Sequence, residues 1–370
     1  MSYIVHYWSK GEKIIVLLYG IVQIKILKMK FFGLSLSALL IVLSLNIVSF
    51  AQGSGNKYAG EFISIGVGGR PLGMGGAYVA LVNDVTAGYW NPARLSAINY
   101  PQLSLMHDSR FSGLVNYNYG GVAVPFGKNA SLGLSVIAMG IDDIPDTRGA
   151  LIDLNGNGQL DPGERLDPDK VKYFNSGDYA FYLTYSKKPK DNFSYGANLK
   201  VLRRNIAEEG AWGLGFDVGL AYTPVEKLLL GANLQDITTT YVTWSTGKKE
   251  VISPTAKIGA AYLIDFLSGV ITPAVDFDVR FENRRTAANA NIGPVSFDFH
   301  GGLEYAYKNL FSIRGGYNEL GNLTLGAGVT LPKINIDYSF AKFDGDEQLG
   351  NTHRISITFT IEEDKFKRRK

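Results

Sequence analysis

The sequence predicts an all-β protein, a transmembrane antiparallel β-barrel of about fourteen strands with an amino-terminal plug. Two observations lead there. From Pro101 to Ile361 the chain breaks into short stretches of strict apolar/polar alternation, and the connections between them alternate short and long. Side chains on a strand have a period of two, so Ile334, Ile336, Tyr338 and Phe340 share one face, and Asn335, Asp337 and Ser339 the other. Ile355, Ile357, Phe359 and Ile361 repeat the pattern against Arg354, Ser356, Thr358 and Thr360. Val275, Phe277, Val279 and Phe281 do so against Asp276, Asp278 and Arg280. A soluble all-β protein turns such an apolar face inward, whereas a bacterial outer-membrane barrel turns it toward lipid.

The expected strands cover 101–108, 113–125, 130–141, 176–188, 192–203, 212–223, 227–235, 254–265, 270–281, 296–307, 309–317, 322–331, 333–342 and 352–362. Tight connections fall at 125–129, 188–192, 223–226, 265–269, 308–309 and 332. The other set is mostly long, at 142–175, 204–211, 236–253, 282–295 and 343–351, with shorter members at 109–112 and 318–321. Outer-membrane barrels have short periplasmic turns and longer external loops, and an even strand count places both chain ends in the periplasm. A soluble sandwich has no such regular asymmetry. Tyr117, Tyr119, Tyr173, Tyr185, Tyr222, Tyr305 and Tyr307 fall near strand ends, where aromatic girdles are expected, although β-propensity alone also favours Tyr.

Composition narrows the function classes. Hydrophobic residues are 46% of the chain. Mean hydropathy is +0.01, too polar for a helical membrane protein and ordinary for a barrel with a wet lumen. A net charge of +3 gives no nucleic-acid signal. Cysteine is absent, which excludes disulfide scaffolds, thiol nucleophiles and zinc–thiolate sites.

Residues 1–51 read as a leader and signal peptide. Lys28 and Lys30 precede an apolar core over Phe31–Leu45, and Ser49-Phe50-Ala51 forms a small-x-small cleavage site, so the mature chain is expected to begin at Gln52. Met29 is the expected initiator. The competing reading is a permanent membrane helix, since the apolar stretch nearly suffices to span. Residues 52–100 form the expected hatch segment and 101–362 the barrel, with a long external loop at 142–175. Residues 363–370 form a charged tail, expected to be solvated in the periplasm.

The segment before the barrel does not alternate. Ala77–Val82 suits a strand or a helical turn, and Asn83-Asp84 can cap a turn over Val85–Tyr89. No G-x-G-x-x-G stands between a strand and a helix and no G-K-[ST] follows, so the glycines read as close packing of a plug rather than a phosphate cradle. Gly73, Met74, Gly75, Gly76 and Ala77, then Asp84, then Trp90, Asn91, Pro92 and Ala93 resemble the amino-terminal signature of the PorV/PorQ family, a branch of the FadL-like outer-membrane proteins. The resemblance implies a fourteen-stranded barrel with a lumenal hatch. Arg94 departs from the family pattern, which often has Gly there, and a bulky cation at that point would alter hatch packing.

One loop matches a calcium motif. Asp153, Asn155, Asn157 and Asp161 fall at positions one, three, five and nine of a twelve-residue loop, with the Gln159 carbonyl at seven, a bidentate Glu164 at twelve and Gly158 at the turn. The alternative is a solvated acidic loop. Flanking helices are lacking, so the expected Ca2+ is a structural ion that stiffens the external loop.

No catalytic constellation emerges. His6, His107, His300 and His353 are scattered, and His107 and Asp108, being adjacent, face opposite sides of a strand. Inward Asp276, Asp278, Arg280, Lys200, Asp217 and Asp337 read as a lumenal charge network that holds the plug. Two non-enzymatic functions fit. The PorV-like resemblance implies an accessory of type IX secretion or surface attachment, with secreted cargo as partner. The FadL-like resemblance implies passive uptake of hydrophobic small molecules such as long-chain fatty acids or hydrocarbons. Both entail an outer-membrane location, lipid contact and no nucleic acid.

Overall fold

The computed structural model describes residues 60–368, apart from 283, 285–287 and 343–350. The expected leader and signal peptide, and the first residues of the hatch, lie outside the described residues.

Fourteen antiparallel strands close on themselves. They are β1 (Gln102–Arg110), β2 (Val115–Phe126), β3 (Ala130–Asp146), β4 (Lys172–Lys190), β5 (Phe193–Ile206), β6 (Glu209–Val225), β7 (Leu228–Gln235), β8 (Thr255–Tyr262), β9 (Gly269–Arg280), β10 (Val295–Tyr307), β11 (Phe311–Tyr317), β12 (Leu323–Leu331), β13 (Ile334–Ala341) and β14 (Thr352–Thr360). Each pairs with its sequence neighbours, and β1 pairs with both β2 and β14, which shuts the ring. A hairpin of Thr240–Trp244 and Lys249–Ile252 extends the wall at the long-loop end. Closure pairs backbone groups around the wall and leaves no open edge.

The alternation assigns the faces as expected. Asp276 and Asp278 are about 1% exposed, while the alternating Val275 and Phe277 are 41% and 49% exposed on the outside. Leu103, Leu105, Leu183, Leu214, Ile258, Leu303, Ile313, Leu325 and Ile355 continue this outer apolar belt. Charged and small polar side chains face the lumen, among them Asp108, Lys200, Asp217, Lys257, Glu304, Arg314 and Arg354.

Three expectations are corrected. The connection expected at 204–211 is a two-residue turn, because β5 runs to Ile206 and β6 starts at Glu209, with Ala207 at φ +49°. Arg204, Asn205 and Glu209 are strand residues whose polarity reads as loop. Tyr117 and Tyr119 do not join a girdle. Both are buried on the inner face, where the Tyr119 hydroxyl donates to the Val85 carbonyl of the hatch. The charged tail is not wholly solvated. The Arg368 guanidinium donates to the carbonyls of Ser96, Ile98 and Ala130 and to Ser131 Oγ, tying the hatch exit to the wall.

The hatch fills the lumen as four short turns: α1 (Glu61–Ser64), α2 (Gly69–Gly73), α3 (Ala87–Trp90) and a 3-10 turn over Pro92–Ala97. It enters near the long-loop end, where Gly60 lies against Ile252, and leaves at the short-turn end beside Arg368. Glycine is needed on both sides of this contact. Gly75 (φ +65°) lies against the backbone of Tyr317, and the inward Gly302 and Gly316 of the wall lie against the backbone of Met74 and Gly75. Gly316→Val drives a side chain into hatch backbone, and overpacking of this kind costs about 1–3 kcal/mol or more. We expect a lower melting temperature and new tryptic cleavage in the hatch after Arg94, which Leu95 follows. Gly315→Val points outward into open space and leaves both unchanged.

Candidate functional site

The hatch is fastened to the wall by lumenal charges placed by strand alternation. Arg70 on α2 grips Glu304 of β10 through Nε–Oε2 (2.9 Å) and Nη2–Oε1 (2.7 Å). Arg314 of β11 holds the same carboxylate and reaches Asp337 of β13 at 2.7 Å. Asp276 of β9 accepts hydrogen bonds from the backbone of Tyr78 (2.6 Å) and Val79 (2.8 Å). Arg354 of β14 is fully buried, binds Asp108 at 2.8 Å and donates to the Gly68 and Ile65 carbonyls. Lys200 bridges Asp217 and Asp236. The expected network is thus present, and Asp276 and Arg354 act directly on hatch backbone.

The signature residues converge on this interface. Gly73 touches Gly326, and the buried Met74 and Gly75 lie on Gly302, Gly316 and Tyr317. Gly76 (φ +86°) lies against His300, whose Nδ1 bonds the Gly75 carbonyl at 2.9 Å, and Ala77 is fully buried. Asp84 caps its turn by accepting from the Thr86 amide at 2.8 Å. Trp90 Nε1 donates to the Val67 carbonyl. Asn91 Nδ2 donates to Val79 within the hatch and to Leu220 on the wall, and its Oδ1 accepts from Ala93. Pro92 and Ala93 lie on Gly196 and Gly219. Arg94 does not disturb the packing, because its Nε donates to the Val82 carbonyl inside the hatch. Arg70, Glu304 and Arg314 escaped the sequence reading. Their only signal was a charge at an inward position or beside a glycine run.

Above the hatch, at the long-loop end, lies a cavity of about 450 Å3. Its floor is hatch, including Phe62, Ile65, Leu72 and Trp90, and its walls include Phe111, Val115, Met139 and Ile141 on one side and Lys257, Arg280, Arg284 and His300 on another. This is within the size range of small-molecule sites. On the outer face of β1–β5 a shallow apolar groove of about 480 Å3 lies over Gly120 and Gly121, and the inward Ser135 and Tyr182 reach its base.

The 153–164 loop folds around its carboxylates. Asp153 accepts from the amides of Asn155, Gly156 and Gly158, and Glu164 from those of Leu154 and Asp161. Asn155 and Asn157 turn their Nδ2 onto Asp161, each at 2.7 Å. Among the described residues no group of three or more His, Asp or Glu converges closely enough to hold a metal ion as placed. The donor set nonetheless suits calcium, being three carboxylates and two amide carbonyls on a loop with Gly156 and Gly158 at positive φ.

No protein-family profile and no curated protein matches the sequence. Solved structures do match the fold. The toluene transporter TbuX of Ralstonia pickettii superposes with a TM-score of 0.53 at 14% identity over 80% of this chain and 99% of that one. The toluene transporter TodX of Pseudomonas putida gives 0.52 at 13% over 80% and 98%. The monoaromatic hydrocarbon channel CymD gives 0.51 at 14% over 81% and 98%. At these identities the likeness is one of fold. It agrees with the fourteen-stranded, hatch-filled barrel expected from the sequence and does not extend to the PorV/PorQ branch.

Asp276→Ala would leave two buried amide donors without their acceptor, a loss of about 1–3 kcal/mol per orphaned group. We expect faster amide exchange at Tyr78 and Val79 than in the wild-type protein, with exchange in β2–β5 unchanged.

Proposed function

We propose that the protein is an outer-membrane channel for passive uptake of small hydrophobic molecules. The observation that supports this best is the partly apolar cavity floored by the hatch, inside a barrel whose outer face is apolar. The fold shared with channels described as toluene transporters and as a monoaromatic hydrocarbon channel adds weight. A ligand enters the cavity from the long-loop end, which is the external end in this reading. The hatch closes the way to the periplasm, so passage requires a local shift of hatch turns. The type IX accessory role rests on the 73–93 signature alone. Proteoliposomes containing the full mature chain should take up a small aromatic tracer faster than protein-free vesicles, without an energy source. Equal rates would contradict the proposal.

We further propose that the 153–164 loop binds calcium and is stiffened by it, with Asp153, Asn155, Asn157, Asp161 and Glu164 supplying side-chain oxygens and Gln159 its carbonyl. The backbone amide of Gly158, foremost, holds the Asp153 carboxyl below its ordinary range, and the Asn155 side chain does the same for Asp161. Carboxyls depressed on folding contribute order above their unfolded pKa of about 4 and lose it as pH falls through the folded value. Calcium should therefore raise the melting temperature at pH 7 in the wild type but not in Asp153→Ala/Glu164→Ala, and the effect should fade below about pH 4. No calcium-dependent shift in the wild type would contradict the site.

A further inference from the structure

The cavity has two faces. Phe111, Val115, Met139 and Ile141 come from β1–β3 and the turn between β1 and β2, and Leu72 and Trp90 from the hatch. Lys257, Asp278, Arg280 and His300 come from β8, β9 and β10. In a ring of fourteen strands, β2 and β9 stand opposite one another. The side formed by β2 and β3 is therefore apolar, flanked by Arg110 and Arg354, and the facing side carries the rest of the charge.

That charge is already matched. Among the described residues, five cationic side chains and His300 line the cavity, and six carboxylates stand in or beside it: Asp108, Asp278, Asp298, Glu282, Glu319 and Glu61. Arg354 and Arg110 converge on Asp108 at 2.8 and 3.5 Å. Arg284 and Arg280 converge on Asp298 at 2.9 and 3.3 Å. Lys257 is bound to Asp278, which also lies 3.5 Å from His300 Nε2. A carboxylate ligand would add a further buried anion to a site whose charges already balance, and would draw a donor away from a carboxylate that holds it, which is unfavourable. A pure hydrocarbon has the opposite defect. It fills the apolar side but strips water from the charged side and returns no hydrogen bond.

We propose that the cavity selects an uncharged amphiphile, a small apolar body with one hydroxyl or carbonyl group, over both the corresponding carboxylate and the corresponding hydrocarbon. This rests on the cavity serving as the entry site of the channel. The apolar body packs against Val115, Met139 and Ile141, and its polar group faces Lys257, Arg280 and His300.

Naphthalene, 2-naphthol and 2-naphthoate share one skeleton and separate the three classes. Their binding to the full mature chain in detergent is followed by their fluorescence at pH 7. The proposal expects 2-naphthol to bind about tenfold more tightly than 2-naphthoate, a difference of about 1.4 kcal/mol, and several-fold more tightly than naphthalene. Ile141→Trp, which fills the cavity, weakens 2-naphthol. His300→Phe weakens 2-naphthol and spares naphthalene, a selectivity that a general loss of packing would not produce. Tightest binding of 2-naphthoate, or equal binding of naphthol and naphthalene, overturns the inference. If none of the three binds but proteoliposomes still admit an aromatic tracer, the ligand class is wrong and the channel reading survives. If none binds and none enters, both are wrong.

Discussion

The rest of the structure depends on filling a closed ring of fourteen strands. Such a ring is wider than its own side chains can fill, so either water or protein must occupy the lumen. Here protein occupies it, as a segment of short turns whose amides and carbonyls are unpaired by any long helix or sheet. Each must find a partner in a confined interior. The wall supplies the partners. Asp276 takes two hatch amides, Arg354 reaches two hatch carbonyls, and Asn198 donates to the Gly88 carbonyl. The lumenal charges are therefore structural first, and the ion pairs around the cavity are the upper edge of the same arrangement.

Where no polar partner is placed, glycine permits contact. Gly231 lies against Val79 and Ala80, Gly196 and Gly219 against the Asn91–Ala93 segment, and Gly302, Gly316 and Gly326 against Gly73–Gly75. Backbone thus meets backbone at these points, and the charged clasps Arg70–Glu304 and Arg368 hold the hatch toward the short-turn end. Where small residues meet, the hatch can shift by releasing a few charged points, whereas the aromatic contacts of Tyr89 with Tyr182 and of Tyr119 with Val85 must repack.

The wall was legible in the sequence because a single physical rule, period two with an apolar side, acts on every strand. Strand positions and the inward set of Asp276, Asp278, Lys200, Asp217 and Asp337 followed from it. The rule failed where strands leave the apolar belt. Arg204, Asn205 and Glu209 look like loop although the ladder continues through them to a two-residue turn. It also failed for Tyr117 and Tyr119, since an aromatic near a strand end has the same composition whether it faces lipid or hatch. The hatch was legible as a plug from its glycines and its lack of alternation, but its contacts were not. Which wall glycine meets which hatch residue depends on the path of the segment through the ring. Arg368 sits in a run of charges that reads as solvated, and only the fold brings it under Ser96, Ile98 and Ala130.

The central claim is that the hatch is the gate between the cavity and the periplasm. The chain lacks cysteine, so a single engineered pair reports cleanly. Ser96 at the hatch exit and Ser186 on β4 are in contact, the Ser96 amide donating to Ser186 Oγ at 3.1 Å. Ser96→Cys/Ser186→Cys should form one disulfide that pins the hatch exit to the wall. Uptake of an aromatic tracer by proteoliposomes should stop on oxidation and return on reduction. Uptake that is indifferent to the redox state, with the crosslink verified by mass spectrometry, would contradict a moving hatch.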